Sequence, residues 1–266
     1  MQRLKAGFFA LLATLLLAAT AAWAAPGAWK RVGPAKAWKG TTTAVGLGGT
    51  LYTTETNGGL YATNVATGKW KQLGKKEFGN TRFLTAVGGA LYSIERNGSL
   101  YRINPKNGAW VQVGPAGAWK KTIAAVGLNG KLYTVESSGV LYITDVNKGT
   151  WKALGKAEFG NTVFMTAVSA HLFTIEKSGS LYFVNSGNGT WKTLGERAWI
   201  GTIAAVGLDN HLFSVERNGG LYRTNHKGKW VQLGKPEFRN TKFMINVAER
   251  LYTIERDGSL YAVMTE

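Results

Sequence analysis

The 266-residue chain contains no cysteine, and only three of its residues are histidine. The first absence excludes a disulfide framework and lipidation at cysteine, so stability has to come from a packed core. The second leaves little for metal binding, because His171, His211 and His226 do not pair at ligand spacing. His171 and His211 fall in turns equivalent to those holding Thr50, Ala90, Lys131 and Arg250, and His226 lies in a separate hairpin. Acidic residues are scarce too, 15 against 32 Lys and Arg, for a formal charge of +17. The three aspartates, Asp145, Asp209 and Asp257, occupy unrelated positions. No nucleophile with an adjacent base can be assembled from this set, so neither catalysis nor a cofactor is expected. Helical periodicity is missing after the first residues, as is any second apolar run that resembles a membrane span.

The N-terminus carries what the rest lacks. Arg3 and Lys5 precede an apolar run from Phe8 to Ala22, followed by Ala22-Trp23-Ala24. A basic start, a short apolar run and a small-x-small motif are the marks of a signal peptide cleaved before Ala25. The protein is expected to be secreted or periplasmic, with 242 residues left, enough to bury a core. Losing Arg3 and Lys5 leaves a charge of +15, and such a surface attracts polyanions at long range. For an exported chain the expected partners are a glycan or an anionic cell-surface polymer rather than nucleic acid. Solubility is the plainer reading of the same charge.

Repetition organises everything after residue 24. A Trp followed closely by a Gly recurs at Trp29, Trp70, Trp110, Trp151, Trp191 and Trp230, at spacings of 41, 40, 41, 40 and 39 residues. Each unit carries two Leu-aromatic pairs, such as Leu91-Tyr92 and Leu100-Tyr101. Within one unit, strands are predicted at 81–88, 90–96 and 99–104, with a fourth carrying Trp110. Asn97-Gly98 and Asn107-Gly108 supply the turns, and Asn-Gly favours type I′. Four strands per forty residues mark a propeller blade. Small runs such as Ala44-Val45-Gly46 and Ala125-Val126-Gly127 suit innermost strands crowded around an axis, and the tryptophans suit outermost strands, where blades splay apart.

The place where the repeat is cut predicts closure. The chain after residue 24 opens on a lone fourth strand, Trp29 to Val32, and ends on three strands over 241–264. Pairing the first strand with the last blade closes a ring and removes both free edges. An all-β, six-bladed propeller in a single domain over 25–266 is therefore expected. A second period runs through it: the loops between blades alternate between a type holding Trp38, Trp119 or Trp199 and a Glu-Phe type ending in Asn80, Asn161 or Asn240.

Those loops and the turns between second and third strands are expected to share a rim, where the candidate ligand-binding residues gather. Glu55, Glu95, Glu136, Glu176, Glu216 and Glu255 recur once per unit, two residues after a Thr or Ser. They either bind sugar hydroxyls or a cation, or satisfy backbone donors as scaffold. Trp38, Trp119 and Trp199, and Phe78, Phe159 and Phe238 in the other loops, either stack on a sugar or plug the space between blades. Asn80, Asn161 and Asn240 are candidate polar contacts, and Lys36, Lys39, Lys120 and Lys121 candidate contacts for anions.

The unit Gly-x-Leu-Tyr-x-x-Asn, then Gly-x-Trp-x-x-Leu-Gly and a small-residue Val-Gly strand, resembles the tectonin or tachylectin-type propeller repeat. It is visible from Gly219-Gly220-Leu221-Tyr222 through Trp230-Val231-Gln232-Leu233-Gly234, and the resemblance spans 28–266. It implies a secreted protein that recognises sugars or lipopolysaccharide multivalently. The alternating loops and the Thr/Ser-x-Glu element depart from that family, so its ligand does not carry over. The expectation is a monomeric, non-enzymatic lectin-like protein, because repeated weak sites can raise avidity by roughly 10²–10⁴. The alternatives are an extracytoplasmic protein-interaction propeller and, third, a propeller enzyme.

Overall fold

A computed structural model describes residues 25–266. The basic start, apolar run and expected cleavage motif of residues 1–24 lie outside the described residues. Among the described residues no helix is long and apolar enough to cross a membrane. The chain forms six antiparallel four-stranded sheets arranged as propeller blades. Blade one comprises Thr41–Leu47, Thr50–Glu55, Leu60–Asn64 and Trp70–Leu73, and its strands pair in sequence order. Blades two to five follow the same plan, with inner strands beginning at Thr81, Thr122, Thr162 and Thr202.

Blade six is the closing one. Its three C-terminal strands, Thr241–Val247, Arg250–Glu255 and Leu260–Val263, take their fourth from Trp29–Val32. The register is Trp29↔Val263, Lys30↔Ala262, Arg31↔Tyr261 and Val32↔Leu260. Closure thus satisfies, across the ring, backbone groups that would otherwise be free on two edges.

Local chemistry accounts for the shape of each blade. The turn after the second strand is a three-residue loop: Gly98 N–H donates to Glu95 O at 2.8 Å, and Glu95 N–H to Ser99 O at 2.9 Å. Only Gly98 is left-handed (φ 85°), so the turn is not the type I′ that Asn97-Gly98 suggested. The Asn97 side chain instead accepts from Ser99 N–H at 2.9 Å, and its backbone stays on the ordinary side. All six inner strands carry a bulge just after their first Thr, for example between Thr81 and Phe83. Around the axis, Gly46, Gly127 and Gly207 lie against the carbonyl oxygens of Asn246, Ala86 and Ala167, where a methyl group would not fit. Small inner residues are thus a steric requirement of the ring.

The core lies between blades. Phe78 packs with Leu60 and Leu73 of blade one and Leu84 and Ile103 of blade two. Trp119 does the same between Leu100 and Val113 of blade two and Leu132 of blade three. Phe159, Trp199, Phe238 and Trp38 repeat it around the ring. Burying one such side chain stabilises the fold by about 1.5–3 kcal/mol, so the six seals contribute a large part of blade cohesion.

Candidate functional site

The loops after each fourth strand and the turns between second and third strands do share a rim. In every loop the aromatic N–H donates to the turn glycine carbonyl of the preceding blade: Trp38 to Gly258, Phe78 to Gly58, Trp119 to Gly98, Phe159 to Gly139, Trp199 to Gly179 and Phe238 to Gly219, at 2.8–3.1 Å. The side chains then point down between blades. Trp38, Trp119 and Trp199 are 3–4% exposed, and Phe78, Phe159 and Phe238 are 0–3% exposed. An indole so enclosed has no face to offer a sugar. Of the two readings of these loops, the geometry matches the plug.

The difference between the loop types is answered one strand further on. Trp38 Nε1–H donates to Thr63 Oγ1 at 3.4 Å. The equivalent third-strand residues are Thr144 and Thr224 in the other Trp-loop blades, but Ile103, Val184 and Val263 in the Phe-loop blades. A buried N–H needs an acceptor, and a phenyl ring needs none; the bond itself forms only at Trp38 and Thr63, and the Thr144 and Thr224 hydroxyls are buried and unpaired.

The tryptophans expected to fill the space between blades are the exposed ones. On the fourth strands, Trp70, Trp110, Trp151 and Trp230 are 51, 47, 43 and 56% exposed, while Trp29 and Trp191 are half-buried. The loop aromatics already occupy the inter-blade volume, so the fourth-strand indoles are left on the surface. Each meets a neighbouring ring: Trp70 lies edge-on to Tyr61 (5.4 Å), Trp110 to Tyr101 (4.9 Å) and Trp230 to Tyr222 (5.3 Å). Trp151 leans instead on Trp119, 5.2 Å away.

These aromatic corners open onto clefts of about 220, 180 and 330 Å³ in blades one, two and five. The floor of each is a second-strand hydroxyl, Thr53, Ser93 or Ser214, with Glu55, Glu95 or Glu216 beside it. The lip holds Asn57, Asn97 or Asn218, whose side-chain oxygens accept from the backbone two residues on at 2.8–2.9 Å. Such a cleft suits one ring-sized polar group and is small for anything larger.

The recurring glutamates sit where the bulge ends, paired across to the first Thr of the inner strand. Thr41, Thr81, Thr162, Thr202 and Thr241 donate Oγ1–H to Glu55, Glu95, Glu176, Glu216 and Glu255 at 2.5–2.9 Å. Glu136 makes no such bond, and Thr122 Oγ1 is left unpaired. Burial pushes the carboxyl pKa of those five up, and the Thr hydroxyl draws each partly back. One oxygen therefore does structural work. The hydroxyls of Thr53, Ser93, Thr174, Ser214 and Thr253 are buried and make no hydrogen bond within the chain. Thr53, Ser93, Thr174 and Thr253 each lie close enough to the glutamate two residues on to favour its charged form, yet the pairs lack hydrogen-bond geometry. Thr53, Ser93 and Ser214 are 0–1% exposed, so these hydroxyls close the floor of the cleft and leave the carboxylate beside them as its polar group.

Asn80, Asn161 and Asn240 are exposed, and their carbonyls accept from Arg96, Lys177 and Arg256 N–H at 2.8–2.9 Å. Asn80 also lines the blade-two cleft. Lys36, Lys39, Lys120 and Lys121 lie exposed along the Trp-loops. Among the described residues no cluster of His, Asp and Glu could hold a metal ion.

One element of the site was not among the expected residues. In the Phe-loop blades the glutamate before each Phe caps the fourth-strand indole: Trp110 Nε1–H donates to Glu77 at 3.0 Å, Trp191 to Glu158 at 2.8 Å and Trp29 to Glu237 at 3.1 Å. Ala37, Ala118 and Ala198 hold that place in the Trp-loops. The Glu/Ala alternation is plain in the sequence, but its partner lies 33 residues away in the chain for Glu77 and Trp110 and 208 for Glu237 and Trp29.

No protein-family model matches the chain, and no curated protein matches it in sequence. Among solved structures it is similar to a Bacteroides thetaiotaomicron protein of unknown function, with a TM-score of 0.68 and 12% identity over 90% of this chain and 76% of that one. It is also similar to YCF48 bound to a D1 peptide, with a TM-score of 0.56 and 16% identity over 85% of this chain and 78% of that one. A third is PorZ, a surface component of the type-IX secretion system of Porphyromonas gingivalis, with a TM-score of 0.54 and 13% identity; this chain is covered over 89% but spans only 38% of PorZ. At such identities the likeness is one of fold.

Proposed function

We propose that this propeller is an exported, non-enzymatic carbohydrate-binding protein whose clefts act together along one rim. The observation that carries the reading is the repeated cleft: an exposed Trp set against a Tyr, beside a carboxylate, with a turn Asn at the lip. An indole face takes the apolar side of a pyranose, and carboxylate and amide take its hydroxyls. Each site is shallow, and affinity comes from engaging several at once. The tectonin-like repeat of the sequence supports the same reading. The stacking residues are Trp70, Trp110, Trp151 and Trp230 in place of the loop tryptophans. The test is a glycan and lipopolysaccharide array probed with residues 25–266 and with Trp70→Ala/Trp230→Ala. Binding that weakens at least tenfold in the variant supports the reading, and an empty array refutes it.

A protein-binding reading rests on a different observation. Trp110-Val111 and Trp230-Val231 form exposed apolar pairs on outer strands, and YCF48, of similar fold, has been seen bound to a peptide. A protein partner lost on Val111→Lys/Val231→Lys, with the glycan array empty, would favour it.

A further inference from the structure

The chain carries 32 Lys and Arg against 15 Asp and Glu, yet its aromatic clefts are lined the other way. The blade-two cleft has two carboxylates in its lining, Glu77 and Glu95, and no cation. The blade-one cleft has Glu55 and no cation, and the blade-five cleft has Glu216 with Arg217 beside it. Lys75 and Lys76 precede Glu77 in the chain but are exposed and do not line the cleft. Arg96, which acts on Glu95 through space, is exposed as well and lies outside the lining. Water and salt screen such exposed charges more than a charge held in a hollow, so the local field of the blade-two cleft is negative.

Two features single out blade two. Glu95 is 8% exposed, and one of its oxygens accepts from Thr81 Oγ1–H at 2.8 Å. The other accepts nothing from the described residues, although the carboxylate lines the cleft. A buried carboxylate oxygen without a donor calls for one from outside, best a charged one. Burial raises the Glu95 carboxyl, and a cation set against it removes that cost. The second feature is the aromatic corner, which is open here and covered in its equivalents. Trp110 is 47% exposed and stands edge-on to Tyr101, whereas Trp191 stacks on Tyr182 at 4.3 Å and Trp29 packs on Tyr261 at 4.1 Å, and both are half-buried. Blades four and six hold the same two glutamates with the ring faces closed. An open indole face beside two carboxylates attracts a cation through the ring quadrupole as well as through charge.

We infer that the blade-two cleft binds an amino sugar, its ring on the face of Trp110, its ammonium donating to the second oxygen of Glu95, and Glu77 supplying the other negative charge. The inference rests on the carbohydrate reading above and narrows it to one leading site and one charge class. The specificity element is the free amine, because acylation removes the charge that the two carboxylates recognise. Blade one is the second site, with one carboxylate and no cation in its lining. Blade five takes neutral sugars, because Arg217 offsets Glu216.

The test uses residues 25–266 labelled with 5-fluorotryptophan, which gives nine assignable fluorine signals. The probe is glucosamine, with N-acetylglucosamine and glucose as its neutral matches, near neutral pH and at constant ionic strength. Glucosamine should half-shift Trp110 at a concentration about tenfold below either neutral sugar, roughly the worth of one charge-assisted hydrogen bond. Its advantage should shrink at Trp70 and vanish at Trp230. Glu77→Gln and Glu95→Gln keep an amide oxygen for Trp110 and Thr81 while removing the charge. Each should cut the Trp110 advantage by at least about threefold, and the response of Trp230 to glucose in the same molecule serves as an internal control for folding. An equal response of Trp110 to all three sugars, Gln variants that keep the advantage, or an equal advantage at Trp230 overturns the inference and leaves carbohydrate binding standing. No shift with any sugar overturns both.

Discussion

The Trp38–Thr63 pair allows a double-mutant cycle whose outcome the structure dictates. Trp38 is 3% exposed, Thr63 is fully buried, and the two share a hydrogen bond at the seam between blades six and one. Trp38→Phe removes part of a packed ring and strands the Thr63 hydroxyl. Cavity and unpaired-hydroxyl terms together come to about 2–4 kcal/mol. Thr63→Ile leaves the indole N–H without an acceptor and adds volume beside it, about 1–3 kcal/mol. The double variant recreates the Phe78 and Ile103 pairing that blade two already uses, so its cost should fall short of the sum by about 1–2 kcal/mol. At this size 1 kcal/mol corresponds to about 2–4 °C in Tm, which calorimetry or equilibrium urea unfolding of the four proteins resolves. Additivity within about 0.5 kcal/mol would refute the matching of loop aromatic to third strand. So would a Trp38→Phe variant as stable as the parent.

Other consequences are as direct. Burial raises the Glu95 carboxyl above its ordinary value of 4.5, so its contribution is complete below that pH and is lost as pH rises through the folded value. Glu95→Gln should therefore match the parent's stability near pH 4 and exceed it near pH 7; a variant relatively weaker at pH 7 contradicts this. Lys30→Cys/Ala262→Cys places two thiols across the closing register in a chain with no others. Oxidation should raise stability by about 3–5 kcal/mol, and failure to form an intramolecular bond would show the termini apart. Gly98→Ala puts a methyl against the Lys120 backbone in a left-handed residue, and should cost at least about 1–3 kcal/mol in urea unfolding.

Closure was legible because it is written in chain order. A lone strand at Trp29–Val32 and three strands ending at Val263 complement each other, and backbone pairing is blind to which side chains they carry. Blade number, strand limits and the shared rim followed from a period near forty residues and two-residue alternation, both local properties. The site was harder to read. Nothing local separates a tryptophan that seals two blades from one that stands in solvent: Trp70 was expected to pack between blades, and Trp38 was left open between plug and sugar platform. Volume decides it: six loops send an aromatic ring into each inter-blade gap, and the fourth-strand indoles are excluded by what is already there. The Thr63, Thr144 and Thr224 series, and the Glu and Ala alternation before the plugs, lay in plain sight at regular positions. Their meaning did not, because each partner is reached across a fold of the sheet or around the whole ring. Repetition in the chain thus determined architecture, and only three-dimensional packing decided which of the repeated aromatics a ligand can touch.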